Sequence, residues 1–315
     1  MKIVLQNFAM ILLMAVAAPL AASEFRGITL GLVSTSWNTQ LPPAVAERAG
    51  FFRGEGLEVR SITIASGGPV MMALLTSGQT DMVIAGAVAI LRGIASGAPA
   101  AIVGGIVDKP DYALVGAKGM KSLTDLKGKV VGSTGAGSFS EFAVAESLRR
   151  SGLSRDRDYT LIPVGGTAVR VAALATNKIQ AAPLSSGERV RVERQGFPIL
   201  LEIGKVLPDF PFTVLGATKK FAASSSDRVA AVLRALHRAM ELIKENKDGA
   251  VEFGKMHKLS GEPEIQRRAL DYVAEDFDVR LKKENVAALL NVLGIKGGPG
   301  EFFDDSYLTR AGVTR

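Results

Sequence analysis

Six short loops rich in glycine, serine and threonine carry the residues best suited to hold a small molecule. They cover residues 34–38, 66–68, 86–87, 133–138, 165–167 and 185–187. Glycine lets the backbone approach a ligand closely, and hydroxyl groups can orient one. Any single loop is equally consistent with an ordinary turn, since Gly and Ser populate turns. Because each loop follows a predicted strand, the six together favour a binding site.

From these loops we predict a set of ligand-binding residues. They are Ser36, Trp37, Asn38, Ser66, Gly67, Gly86, Ala87, Thr134, Gly135, Ser138, Gly166, Thr167 and Ser185. Trp37 is the only tryptophan and could stack on a planar group, or it could pack against its own lobe. Arg170 follows the loop at 165–167 and could pair with an anion, or it could be a solvated helix residue.

The loops are placed by alternating strands and helices. The apolar runs predict strands over 28–33, 57–64, 82–85, 101–107, 130–132, 160–164, 181–184, 198–203 and 213–217. Helices are predicted from Pro42 to Gly50, over 67–78, 88–96, 138–150 and 168–177, and through most of the chain after residue 226. Ser138 and Glu141 have the spacing of a capping box at the start of one of these helices. This alternation is typical of a doubly wound α/β protein.

The composition indicates two domains and excludes several classes of protein. A chain of 315 residues with 47% hydrophobic content can bury the cores of two ordinary domains. The net charge is +7, from 38 basic and 31 acidic residues, but the basic residues are scattered. Nucleic-acid binding needs a basic stripe, so we predict no nucleic-acid partner.

The first 23 residues have the plan of a secretory signal peptide. Lys2 precedes an uncharged apolar run at 8–20, and the small residues at 21–23 suit a signal peptidase. The run is shorter than the roughly 20 residues that cross a bilayer, which disfavours a membrane anchor. The chain has no Cys, which excludes a lipoprotein anchor, disulfides and thiolate metal sites. We therefore predict cleavage near Ser23 and a periplasmic mature protein.

Known catalytic motifs are missing from the sequence. It contains no HExxH, no Walker A motif, no G-x-S-x-G elbow and no cysteine nucleophile. His237 and His257 lie far along the chain from the loops, and we interpret them as surface or core residues. We predict a protein that is not an enzyme and that uses neither a metal nor a cofactor.

Four segments in order resemble the bacterial solute-binding proteins of the nitrate, sulfonate and thiamine-precursor group, the SsuA/THI5/NMT1-like family. They are AERAGFFRGEGLEV at 46–59, ALLTSGQTD at 73–81, SLTDLKGKVVG at 122–132 and the looser ALATNKIQAA at 173–182. The resemblance implies a periplasmic-binding-protein type II-like fold, with two α/β lobes and a ligand cleft between them. Lobe one would comprise residues 24–115 and 217–315, including the C-terminal helices, and lobe two residues 116–216. The chain would cross between lobes near 113–117 and 213–217.

The resemblance also implies a function. The protein would act as a monomer that captures a small organic solute, anionic or aromatic, and delivers it to the permease of an ABC importer. A periplasmic sensor that presents the solute to a receptor is the alternative. The family's thiamine-pyrimidine enzymes carry a Cys-rich motif, which this chain cannot have. Residues 180–186 depart from the sulfonate branch, which argues against a sulfonate, and the small loops suggest a ligand larger than nitrate.

Overall fold

The computed structural model describes residues 27–34, 36–63, 67–259 and 261–314. Within them the chain forms two five-stranded sheets flanked by helices. The predicted signal peptide lies outside the described residues. No helix among those described is both long enough and apolar enough to cross a membrane.

The strands divide evenly between the two sheets. The first sheet has the order β2-β1-β3-β10-β4, and the second has the order β7-β6-β8-β5-β9. The strands are β1 Ile28–Leu32, β2 Val59–Thr63, β3 Met82–Gly86, β4 Ala100–Val107, β5 Tyr112–Gly116, β6 Lys129–Ser133, β7 Tyr159–Pro163, β8 Ala181–Ser185, β9 Ile199–Glu202 and β10 Thr213–Thr218.

Helices follow most of the strands and fill the C-terminal part of the chain. They are α1 Trp37–Arg48, α2 Phe51–Gly54, α3 Gly68–Thr76, α4 Ala87–Ala95, α5 Phe139–Arg150, α6 Thr167–Ala175, α7 Ser186–Arg194, α8 Ile203–Val206, α9 Lys219–Ser224, α10 Ser226–Glu245, α11 Lys247–Met256, α12 Pro263–Val273, α13 Lys283–Leu293, α14 Pro299–Phe302 and α15 Ser306–Ala311. Short 3₁₀ helices lie at Leu123–Leu126 and Ala274–Asp276.

The two sheets have the same arrangement of parallel and antiparallel strands. In the first sheet β1, β2 and β3 are parallel, and β10 runs antiparallel between β3 and β4. In the second sheet β6, β7 and β8 are parallel, and β5 runs antiparallel between β8 and β9. Loops at the carboxyl ends of parallel strands lead into helices, and ligands bind at such ends in open α/β sheets.

The chain passes between the sheets twice, over residues 108–111 and 207–212. The segments expected to make these crossings, 113–117 and 213–217, lie mostly in β5 and β10 instead. Both segments are apolar and pair with antiparallel strands on both sides. They therefore belong to the sheets rather than to the connections between them. The crossings therefore come a few residues earlier in the chain.

The C-terminal helices pack against the first sheet, where β4 contacts α14 and α15. Two glycines of β4 make this close approach possible. A Cβ on Gly104 would lie 2.6 Å from Leu233, and one on Gly105 would lie 2.5 Å from the carbonyl oxygen of Asp278. The Gly105 N–H donates to Val279 O at 2.8 Å, so the segment after α12 is bonded directly to the strand.

Helix α1 begins earlier than the sequence predicts. The structure starts it at Trp37, so Pro42 and Pro43 lie inside the helix rather than at its start. Neither proline has the N–H that would donate to the carbonyl four residues earlier. Trp37, Leu41 and Val45 are buried along one face of the helix. Their burial outweighs the two lost hydrogen bonds.

Helix α7 is not predicted by the sequence analysis. Val190 and Val192 alternate with charged residues, and that period of two is typical of a strand. In the structure α7 packs against α12, where the guanidinium of Arg189 lies 4.1 Å from the ring centre of Tyr272. Tertiary contact overrides the local pattern here.

Candidate functional site

A cavity lies between the two sheets, at the point where the six predicted loops meet. It encloses about 80 Å³ open to the centres of water molecules. That is room for several water molecules or for one small ligand. Both sheets contribute to its wall.

The structure brings most of the predicted ligand-binding residues to this cavity. Those that line it are Ser36, Asn38, Gly67, Gly86, Thr134, Ser138, Gly166, Thr167 and Ser185. Trp37, Ala87 and Gly135 do not line it, and Ser66 lies outside the described residues. Ligand contact by all of these residues stays a prediction.

Six helices begin at the cavity wall, namely α1, α3, α4, α5, α6 and α7. Their first N–H groups have no partner within the helix, and the helix dipole makes this end positive. Only α5 has a side chain that caps it, since the other five make no such bond. The wall is therefore electrostatically suited to an anion.

Arg170 is the one charged residue that lines the cavity in the part of the chain described. Arg170 is only 2% exposed. Nη1 donates to Thr134 Oγ1 at 2.6 Å and to Gly165 O at 2.9 Å, and Nη2 donates to Thr167 Oγ1 at 3.2 Å. The alternative of a solvated helix arginine is wrong, because Arg170 lies on the buried face of α6 with Ala173 and Leu174.

The hydrogen-bond partners of Arg170 are all neutral. Among the described residues no carboxylate forms an ion pair with it, and its Nε has no hydrogen-bond partner. Burial lowers the pKa of its guanidinium from the ordinary value, although the neighbouring Tyr112 and Glu188 act in the opposite direction. A buried cation without a directly bonded counter-charge is costly to the fold, so an anionic ligand would relieve that cost.

A chain of hydroxyl groups supports the arginine. Ser138 Oγ lies 3.0 Å from Ser140 Oγ, and Ser140 Oγ donates to Thr134 Oγ1 at 2.9 Å. Thr134 Oγ1 thus accepts from both Ser140 and Arg170. Its own hydrogen has no acceptor among the described residues, so Thr134 can donate a hydrogen bond into the cavity.

Ser138 also caps α5, as the sequence predicts. Its Oγ accepts from Glu141 N at 3.2 Å. The return bond of the predicted capping box differs, because Glu141 Oε2 accepts from Gly137 N at 2.7 Å rather than from the N–H of Ser138. The carboxylate still satisfies a free amide at the positive end of the helix.

Replacing Ser138 with alanine should lower the free energy of unfolding by about 1 kcal/mol, because the cap is lost. Urea denaturation of the wild type and Ser138→Ala checks this. Ser77→Ala is the control, since this serine is exposed at the far end of α3. Equal stability of Ser138→Ala and the wild type would mean that the cap does not stabilise α5.

One side of the cavity is an aromatic wall that the sequence analysis did not predict. The rings of Tyr112, Phe139 and Phe212 line the cavity together. The centre of the Phe212 ring lies 4.8 Å from that of Tyr112 and 5.0 Å from that of Phe139. The three residues are far apart in the chain, and no spacing signal links them.

Thr213 adds a polar group that lacks a partner. It lines the cavity, is 2% exposed, and its Oγ1 makes no hydrogen bond within the described residues. A buried hydroxyl without a partner costs roughly 1–3 kcal/mol. A ligand that bonds to Thr213 would remove that cost.

Asp111 ties the two sheets together behind the cavity. Its Oδ2 accepts from Asn38 Nδ2 at 2.6 Å, and from Ser186 Oγ at 2.9 Å and Ser186 N at 3.2 Å. Asn38 belongs to α1 beside the first sheet, and Ser186 begins α7 beside the second. Burial raises the pKa of Asp111 to about 7, although the three donated bonds act in the opposite direction.

Trp37 faces a second, larger cavity of about 300 Å³. The indole is 6% exposed and packs against α11, where a Cβ on Gly254 would lie 3.2 Å from Trp37 Nε1. Thr167 lines both cavities. The predicted stacking of Trp37 on a ligand would therefore occur in the second cavity.

Comparisons with known proteins relate this site to a family. The family model described as NMT1/THI5 like matches residues 38–250. A search of curated proteins finds no match.

Solved structures share the fold over most of the chain. A protein from Bordetella bronchiseptica RB50 is 23% identical, with a TM-score of 0.78 over 91% of this chain and 96% of that one. The alkanesulfonate-binding protein SsuA from Xanthomonas axonopodis pv. citri is 19% identical, with a TM-score of 0.70 over 88% and 96%. The periplasmic nitrate-binding protein NrtA from Synechocystis PCC 6803 is 17% identical, with a TM-score of 0.66 over 76% and 68%.

The match to the family model covers more than half of the chain, and the solved structures confirm the predicted fold class. The chain belongs to the NMT1/THI5-like family and has the periplasmic-binding-protein fold.

Proposed function

We propose that this protein captures a small organic anion between its two sheets and delivers it to the permease of an ABC importer. The family match and the binding proteins among its structural neighbours support this role. The main support for an anionic ligand is Arg170. Its guanidinium is buried, and its hydrogen-bond partners are all neutral. In this proposal the site binds its ligand without chemistry, and the described residues that line the cavity include no His, Cys or Lys.

In this proposal the two sheets are the cores of two lobes. Lobe one contains β1 to β4, β10 and the C-terminal helices, and lobe two contains β5 to β9. The crossings at 108–111 and 207–212 act as the hinge, because they alone join the lobes covalently. The lobes close around the ligand as rigid bodies.

The proposal places the mature protein in the periplasm after removal of residues 1–23. The charge and apolar pattern of these residues supports export. N-terminal sequencing of periplasmic material should give a chain that begins near Glu24. A secreted chain that still begins at Met1 would contradict cleavage.

A thermal-shift screen tests ligand capture. The mature chain is unfolded, dialysed and refolded to remove bound solute, then tested against sulfonates, aromatic carboxylates and vitamin precursors. A ligand at 100 times its Kd adds about 2.7 kcal/mol of stability. For a chain of this size we expect Tm to rise by roughly 5–10 °C. Neutral amides of the same compounds serve as controls. If no anion raises Tm more than its amide does, capture of an anion at Arg170 is wrong.

A further inference from the structure

We infer that the ligand is a single-ring aromatic acid that carries a second hydrogen-bonding group away from its acid group. The inference rests on the proposed function and specifies the ligand of the same cavity. Three features of the cavity support it. They are the aromatic wall, the guanidinium of Arg170, and the hydroxyl of Thr213, which has no hydrogen-bond partner among the described residues.

The aromatic wall contacts residues of both sheets. Tyr112 and Phe212 come from the ends of the two crossings, and Phe139 begins α5. Gly86 of the first sheet packs directly on this group, since a Cβ there would lie 3.0 Å from Phe139 Cβ. The Phe212 ring is tilted by 60° to Tyr112 and by 58° to Phe139. Tilted rings offer both faces and edges, and another aromatic ring packs well against such a group.

Arg170 fixes the acid end of the ligand in lobe two. The first N–H groups of α6 and the free hydrogen of Thr134 lie beside its guanidinium. A carboxylate can accept from several donors at once, so it suits this corner. The acid group would then supply the directly bonded counter-charge that Arg170 lacks among the described residues.

In this inference Thr213 bonds to the second polar group of the ligand. It begins β10 and pairs with Gly86 of β3, so its hydroxyl belongs to the first sheet. Arg170 belongs to the second sheet. A ligand that bonds to both residues touches both lobes, and a ring between them meets the aromatic wall. The cavity is small, which favours a single ring over a larger ligand.

Isothermal titration calorimetry with three probes tests this inference. The probes are 4-hydroxybenzoate, benzoate and cyclohexanecarboxylate, which keep the acid group and change the hydroxyl or the ring. The proteins are the wild type, Phe212→Leu and Thr213→Val. Phe210→Leu is the matched control, because Phe210 is buried in the same crossing but does not line the cavity.

For the wild type we expect benzoate to bind about 3- to 10-fold more tightly than cyclohexanecarboxylate, and 4-hydroxybenzoate more tightly still. Phe212→Leu should remove the preference for the ring, and Phe210→Leu should keep it. Thr213→Val should remove the preference for the hydroxyl, so that it binds 4-hydroxybenzoate and benzoate with equal affinity.

Equal affinity of benzoate and cyclohexanecarboxylate would overturn the inference and leave anion capture intact. The same holds if Thr213→Val binds 4-hydroxybenzoate as tightly as the wild type does. If no probe binds while a non-aromatic anion raises Tm in the screen, the aromatic class is wrong. If no anion of any kind binds, the proposed function itself fails.

Discussion

Replacing Arg170 with methionine should weaken binding of an anionic ligand by roughly 2–5 kcal/mol, which is about 30- to 5,000-fold in Kd. The loss is large because the ligand's charge would be buried without a partner. Methionine has a similar length and keeps the apolar part of the packing. Calorimetry with the ligand found by thermal shift measures the change.

The stability of the free Arg170→Met protein separates a binding role from a structural one. The variant loses three hydrogen bonds, but it also loses the cost of burying an unpaired charge. These effects oppose each other, so we expect its Tm without ligand to stay within about 3 °C of the wild type.

Two further variants control this experiment. Arg170→Lys keeps the charge but loses the planar fork, so it should bind with intermediate affinity. Arg157 is exposed, lies just before β7 and does not line the cavity. Arg157→Met should therefore bind like the wild type. A large fall in Tm together with unchanged affinity in Arg170→Met would make the residue structural.

Asp111 should make the stability of the protein depend on pH. The folded chain holds the Asp111 proton up to a pKa of about 7, whereas the ordinary value is 3.8. Between these values the folded state binds more protons than the unfolded state, so the free energy of unfolding falls as pH rises from about 4 to 7. Asp111→Asn should remove this fall. From pH 4.5 to pH 8 the variant should gain roughly 2–4 kcal/mol relative to the wild type.

Urea denaturation at pH 4.5, 6 and 8 measures this difference. Asp209→Asn is the control, because Asp209 is an exposed acid in the other crossing, 207–212. Its pH profile should run parallel to that of the wild type. If the Asp111→Asn profile is also parallel, the carboxylate is ionised throughout and the bridge between Asn38 and Ser186 does not depend on pH.

The fold could be predicted from the sequence because its signals are local. Apolar runs and glycine-rich loops locate most strands and helix starts, and Ser138 with Glu141 marks the cap of α5. The exceptions depend on distant contacts. Trp37 starts α1 because one face of that helix is buried, and α7 forms because it packs on α12.

The site could be predicted only in part, for the same reason. Loops at strand ends must meet when the strands share an edge, so Thr134, Gly166 and Ser185 were predictable. The burial of Arg170 was not, since a helix position next to a loop can face either way. Tyr112 and Thr213 were assigned near or within the crossings, and only the folded structure shows that they line the cavity.

A crystal structure with bound ligand tests the central claim most directly. The mature protein would be crystallised with the anion that gives the largest thermal shift. We expect the acid group within hydrogen-bond distance of the Arg170 guanidinium, and the rest of the ligand in contact with residues of both sheets. A ligand bound in the second cavity beside Trp37, with Arg170 still bonded only to Thr134, Gly165 and Thr167, would contradict the account.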